Sequence, residues 1–189
     1  MRIVFFGAPG SGKGTQAAIL KSTFGIPHIS TGDLLRGHVA RGTELGRIAK
    51  AVMEAGQLVS DDLVLGMLED RLAEDDAKPG FILDGYPRNL VQADALGALL
   101  ARIDKPLDIV IKLNVPNEAI LARCAKRFAE QGRKDDDPDV VRGRLAVYAQ
   151  QTAPVAEFYA AAGKLVEVDG VGDLADVTAR ILAAVKAVA

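Results

Sequence analysis

Tryptophan is missing from this chain, histidine occurs only twice and cysteine only once, at Cys124. A single thiol excludes an intramolecular disulfide framework and a cysteine-built zinc site, and it suits a reducing compartment, so a cytoplasmic location is expected. Cys124 falls on the apolar side of a helical segment and reads as a buried, inert thiol. His28 and His38 have no partners at metal-ligand spacing and read as ordinary polar positions. An excess of basic charge is also missing: 23 Lys and Arg face 25 Asp and Glu, a formal net charge of -2. That removes the footprint of a nucleic-acid-binding protein, and any phosphate must be held locally. No apolar run reaches the ~18 residues of a membrane span, and Met1 to Phe6 is too short for a secretory signal. Neither a membrane nor a nucleic acid is an expected partner, and a monomer is the default.

What is present is enough apolar material, 49% of 189 residues, for the core of one domain spanning 1–189. Short apolar runs occur at Arg2 to Phe6, Pro27 to Ser30, Phe81 to Leu83, Asp108 to Val115 and Leu165 to Val168. Each is followed by helical periodicity. The runs are continuous rather than alternating, as expected of strands buried on both faces, so the pattern predicts an α/β fold with a five-stranded parallel sheet. Two stretches interrupt it. Residues 30–59 carry helix-like pieces with Gly32, Gly37, Gly42, Gly46 and Gly56, and read as a helical insertion on hinges. Glu130 to Asp139 is polar and charge-rich and reads as a short flap between helices. Ala175 to Ala189 reads as a closing helix.

The first strand runs into Gly7-Ala8-Pro9-Gly10-Ser11-Gly12-Lys13-Gly14-Thr15, which fits the phosphate loop G-x-x-x-x-G-K through Lys13. Gly10, Ser11, Gly12 and Gly14 let backbone N–H groups turn toward phosphates, and the following helix offers its positive N-terminus. Gly14 occupies the place where such loops usually carry Ser or Thr, so the hydroxyl next to Mg2+ falls to Thr15. A glycine loop by itself is no more than a tight connection. Its setting between strand and helix makes it a nucleotide site.

Gly7 to Thr15, continued by Gln16, resembles the adenylate kinases, in which Gly-Lys-Gly-Thr replaces Gly-Lys-Ser/Thr. Further motifs follow in that family's order: Ser30 to Arg36, Gly56 to Asp61, Phe81 to Arg88 with Gln92, then Arg123, Arg127, Arg133 with Asp135 and Asp136, and Arg144. The resemblance spans nearly the whole chain. It implies a P-loop three-layer fold with an NMP-binding insertion at 30–59 and a short lid at 126–136. The implied reaction is reversible phosphoryl transfer from MgATP to AMP, giving two ADP. The flap is the short-lid form of the family and has no zinc-binding cysteines, so ATP with Mg2+ is expected and structural zinc is not.

Several residues carry independent chemical sense. Asp84 ends an apolar strand, where ligands gather in open α/β sheets, and could order the water shell of Mg2+ or simply cap a turn. Arg123 and Arg127 lie four apart on one helix face, a repulsive arrangement unless an anion joins them or the face is only solvated. Forked guanidinium groups suit phosphate oxygens, and phosphoryl transfer asks chiefly for in-line positioning and positive charge. The resemblance assigns Lys13, Asp84, Arg88, Arg123, Arg133 and Arg144 to catalysis, and Arg127 and Gly172 to ATP's adenine. It assigns AMP to Thr31, Arg36, Gln57, Leu58, Val59, Gly85, Tyr86, Pro87, Arg88, Gln92, Arg133 and Arg144. Thr31 and Gln92 favour AMP over the UMP or CMP of related kinases, which usually have alanine and asparagine there. A GTPase-type switch is the distant alternative, and the chain lacks its N-K-x-D motif.

Overall fold

The continuous apolar runs become the strands of one parallel sheet. The computed structural model describes residues 1–55 and 57–188, with β1 (Arg2–Phe6), β2 (His28–Ser30), β3 (Phe81–Asp84), β4 (Ile109–Asn114) and β5 (Leu165–Asp169) in the order β2-β3-β1-β4-β5. Gly56 and Ala189, expected as a hinge and as the end of the closing helix, lie outside the described residues. The helices are α1 (Lys13–Phe24), α2 (Thr31–Ala40), α3 (Glu44–Glu54), α4 (Asp61–Leu72), α5 (Leu90–Arg102), α6 (Asn117–Gln131), α7 (Pro138–Val147), α8 (Pro154–Ala161) and α9 (Leu174–Lys186).

Side chains along a strand alternate between faces, so each run feeds two cores. Val4, Phe6, Phe81, Leu83 and Val110 belong to one, closed by Leu68 of α4, Leu96 of α5 and Tyr159 of α8. Ile3, Phe5, Ile82, Ile109 and Ile111 belong to the other, closed by Leu20 of α1 and Ile181 of α9. Helices thus cover both faces, which gives three layers. All the strands are parallel, so their carboxyl ends share one edge. There the P-loop leaves β1 and Asp84 ends β3, with Phe5 opposite Asp84 in the register.

Residues 31–54 form α2 and α3, whose first turns are capped by Ser30 Oγ accepting from the Asp33 N–H (3.2 Å) and Thr43 Oγ1 accepting from the Gly46 N–H (3.0 Å). Of the polar segment Glu130 to Asp139, the ends belong to α6 and α7. Between them lies a single 3-10 turn, Lys134–Asp136. A π-helical stretch, Tyr148–Thr152, joins α7 to α8 and brings the Thr152 hydroxyl to the Arg88 carbonyl at 2.6 Å.

Helices α2 and α3 meet at Gly46, where an added Cβ would overlap the His38 carbonyl, so only glycine permits the approach. Gly46→Ala is expected to cost about 1–3 kcal/mol. The loss should be local: hydrogen exchange should quicken in α2 and α3 while the sheet stays protected.

Candidate active site

At the carboxyl edge of the sheet a cleft is lined by the P-loop, the end of β3, α2 and the lid segment. The P-loop is seated on α6. Gly10 has φ +81°, and a Cβ there would stand 2.6 Å from Cys124 Sγ, so the buried thiol forms the floor on which the loop bends. Six cations line the cleft, Lys13, Arg36, Arg88, Arg127, Arg133 and Arg144, against two carboxylates, Asp33 and Asp84.

Lys13 Nζ turns back and donates to the Gly7 and Ala8 carbonyls (2.7 and 2.9 Å). Burial pushes its pKa down to about 8; Asp84 opposes the shift, and Arg88, Arg144 and Arg127 add to it. Arg88 is pushed down to about 10 by burial and then by Arg144, and its Nε donates to the Gly85 carbonyl at 2.6 Å. Guanidinium groups do not deprotonate in proteins, so Arg88 stays charged in a buried place with a like charge nearby. Among the described residues no carboxylate pairs directly with Arg88. Burial disfavours the charged form of Asp84, but the hydrogen bond from His28 and the charge of Lys13 outweigh it, and its carboxyl titrates below the ordinary range. His28 is therefore not an ordinary polar position. Its Nε2 lies 3.3 Å from Asp84 Oδ2, a contact that two distant strands create and the sequence does not announce.

The lid segment is an ion-pair knot. Asp136 is fully buried and takes a forked pair from Arg127 Nε and Nη2 (2.5 and 2.6 Å), with Arg133 at 3.5 Å and Arg144 at 3.8 Å. Asp135 meets Arg144 (3.1 Å), Arg133 (3.4 Å) and, from α2, Arg36 (3.6 Å). Burial works against the Asp135 charge, yet Arg144 and Arg133 prevail and hold its carboxyl below the ordinary range. Lys134 also reaches Glu54 of α3 at 3.3 Å, but that pair is exposed and contributes at most ~1 kcal/mol. Arg133 Nε is buried without a hydrogen-bond partner, a donor left over.

The family model described as "Adenylate kinase" matches residues 5–164. The chain belongs to the adenylate kinase family. Named adenylate kinases to which it is similar include those of Stenotrophomonas maltophilia strain R551-3 (61% identical over 186 residues, 98% of this chain and all of the relative) and strain K279a (60% over 187 residues, 99% and 100%). One from Xanthomonas oryzae pv. oryzae strain MAFF 311018 is 60% identical over 181 residues, 96% of this chain and 97% of the relative.

Within this adenylate kinase fold, the cleft gathers Gly10, Gly12, Lys13, Gly14, Thr15, Arg36, Leu58, Asp84, Gly85, Tyr86, Pro87, Arg88, Arg127, Arg133 and Arg144, while Ser11 is buried beneath the loop. Ser30 and Asp33 of the Ser30 to Arg36 motif also line it, as do Tyr148 and Thr152, which belong to no motif in the sequence. Val59 packs in the core, the Gln57 side chain is exposed, and Thr31 and Gln92 are buried behind the wall, with Thr31 Oγ1 donating to the Gly85 carbonyl at 2.9 Å. Two residues depart from their expected surroundings. Arg127, expected beside Gly172, lines the cleft. Arg123, expected among the catalytic cations, is off the cleft wall and donates to the Ser11 and Gly170 carbonyls, both at 3.1 Å. Helical spacing puts both on one face, but only Arg127 lies within reach of Asp136.

Replacing Asp136 leaves three arginines facing one another around a buried gap. Asp136→Asn should destabilise the protein by about 3 kcal/mol in urea unfolding. An unchanged midpoint would show that the knot contributes nothing.

Proposed function

We propose that this adenylate kinase moves the γ-phosphoryl group of ATP to the α-phosphate of AMP within the cleft described above, giving two ADP. The observation that carries this reading is the convergence of six cations on one cleft in a chain whose formal net charge is -2. Two nucleotides meeting phosphate to phosphate supply the missing negative charge. The P-loop and Lys13 hold the donor's phosphates; Arg36 and Arg88 hold the acceptor's; Arg127, Arg133 and Arg144 close over the group in transit. The acceptor phosphate is itself the nucleophile, so no side chain need form a covalent intermediate.

The placement of the arginines supports a change of role from the sequence expectation. Arg123, beside Gly170, belongs with the donor's adenine and the Gly172 turn, and Arg127 belongs with the phosphates. In the acceptor site, residues 30–59, which carry α2 and α3, form the NMP-binding insertion, with Leu58 against the nucleoside and Gln92 reading the base. Residues 126–136 act as the lid. Arg36 to Asp135 spans the insertion and the lid, which supports closure over both substrates and exclusion of water from the reactive γ-phosphate.

Mg2+ fits the residues present. Asp84 and Thr15 offer hard oxygen donors on the cleft wall, and a Cβ at Gly14 would stand 3.6 Å from Asp84 Oδ2, which puts the carboxylate beside the start of α1. When bound, Mg2+ neutralises phosphate charge; Asp84 and Thr15 would hold it through its waters. The protein acts as a cytoplasmic monomer, a reading supported by its single buried thiol and by the completeness of the cleft within one chain.

The test is chromatography of the nucleotides formed from MgATP with AMP, UMP, CMP or GMP. ADP should form rapidly with AMP alone, and Lys13→Ala or Arg88→Ala should lower kcat by about 10²–10³. Preference for UMP or CMP would change the acceptor, and turnover indifferent to any monophosphate would overturn the kinase reading.

A further inference from the structure

We infer that Asp61 fixes which way round the Gln92 amide is held, and thereby makes the acceptor site accept a 6-amino purine monophosphate and reject a 6-oxo one. The inference rests on the assignment of Gln92 to the acceptor base made above.

A carboxamide has a donor end and an acceptor end of nearly equal shape, so it reads a base only when its surroundings decide which end is which. Gln92 is 2% exposed, and both ends are engaged. Its Oε1 accepts from the Arg88 backbone N–H at 2.7 Å, and its Nε2 donates to Asp61 Oδ1 at 2.6 Å. A carboxylate can only accept and a backbone N–H can only donate. Turning the amide over would set oxygen against carboxylate and NH2 against N–H, so one orientation survives.

One lone pair on Oε1 and one N–H on Nε2 then remain for a ligand. An adjacent acceptor and donor complement the 6-amino and N1 positions of adenine. A 6-oxo purine presents a carbonyl and an N1–H, the reverse pattern, and meets the fixed amide with both partners mismatched. A site built on hydrogen bonds rejects the analogue that cannot make them more strongly than an apolar site rejects a change of size.

Asp61 is the first residue of α4, and it is itself held in place. Asn89 Nδ2 donates to both its oxygens at 3.1 and 3.2 Å, while Asn89 Oδ1 accepts from the Gln92 backbone N–H at 2.8 Å and caps α5. The carboxylate thus joins the entry to α4 to the start of α5, and reaches the amide from a helix 31 residues away in sequence. Asp61 is a positioning residue, acting on the base through Gln92.

The experiment compares kcat/KM for AMP and for inosine monophosphate, a probe that differs from AMP by the 6-amino to 6-oxo exchange, in the wild-type protein, Asp61→Asn and Asn89→Ala. Asparagine keeps the shape of aspartate but offers a donor as readily as an acceptor. The AMP preference should fall about tenfold in Asp61→Asn, as for loss of one charge-assisted hydrogen bond, with the KM for MgATP unchanged. Asn89→Ala, which removes the helix cap and one anchor of Asp61 but leaves the carboxylate free to accept from Gln92, should lower the melting temperature and lower the preference by less than Asp61→Asn does. An unaltered preference in folded Asp61→Asn, or a larger fall in Asn89→Ala than in Asp61→Asn, would overturn the inference while leaving the acceptor reading intact. Absence of AMP-dependent turnover in the wild-type protein would instead remove both. If Asp61→Asn does not fold, NMR of the wild-type Gln92 side-chain NH2 decides. AMP should shift its second proton and inosine monophosphate should not; equal shifts would overturn the inference.

Discussion

Like charges brought together in a partly dry cleft repel, and the rest of the site is arranged around that repulsion. Lys13, Arg36, Arg88, Arg127, Arg133 and Arg144 converge from the P-loop, the insertion, the end of the sheet and the lid. In the absence of phosphate they are held by whatever negative charge the chain provides. Asp136, fully buried, neutralises the lid arginines; Asp135 takes Arg144, Arg133 and Arg36; Asp84 faces Lys13. The balance is incomplete: among the described residues no carboxylate pairs directly with Arg88, and Arg88, Arg144 and Arg127 add to the burial that lowers Lys13. That shortfall is what favours an anionic ligand over an empty cleft.

The fold supplies the geometry by simple means. Parallel strands end on one edge, so a loop after β1 and a carboxylate ending β3 become neighbours without any local signal linking them. Burial on both faces makes the sheet a rigid base, and Gly10 bending over Cys124 seats the loop on α6. The lid turn carries two kinds of ion pair: the Arg127 pair with fully buried Asp136 is costly to break, whereas the Arg36 pair with Asp135 is partly exposed and can be exchanged at smaller cost.

Features with a local origin could be read from the sequence. The five strands, the P-loop and the helical character of 31–54 follow from periodicity and glycine placement. Asp135 and Asp136, which the sequence places beside Arg133 in one motif, pair with arginines of that motif and of the flanking helices. What could not be read depends on which parts of distant elements meet. His28 has a bland sequence neighbourhood and acquires its partner only when β2 lies beside β3. Arg123 and Arg127 are equivalent by helical spacing, and their surroundings diverge because the lid turn passes one and the β5 turn passes the other. Asp61 and Gln92 are joined by the packing of α4 on α5, and neither segment hints at the other.

The central claim is that the cleft carries unmet positive charge until phosphate arrives, and Lys13 reports on it most directly. NMR titration of its side chain, with isotope-labelled lysine, would follow its protonation in the free protein and with ATP bound. The free protein should titrate near 8, below the ordinary 10.5, and nucleotide should move the value upward, with proton uptake on binding between those two pH values. An ordinary lysine value in the free protein, or one that nucleotide leaves unchanged, would contradict the account.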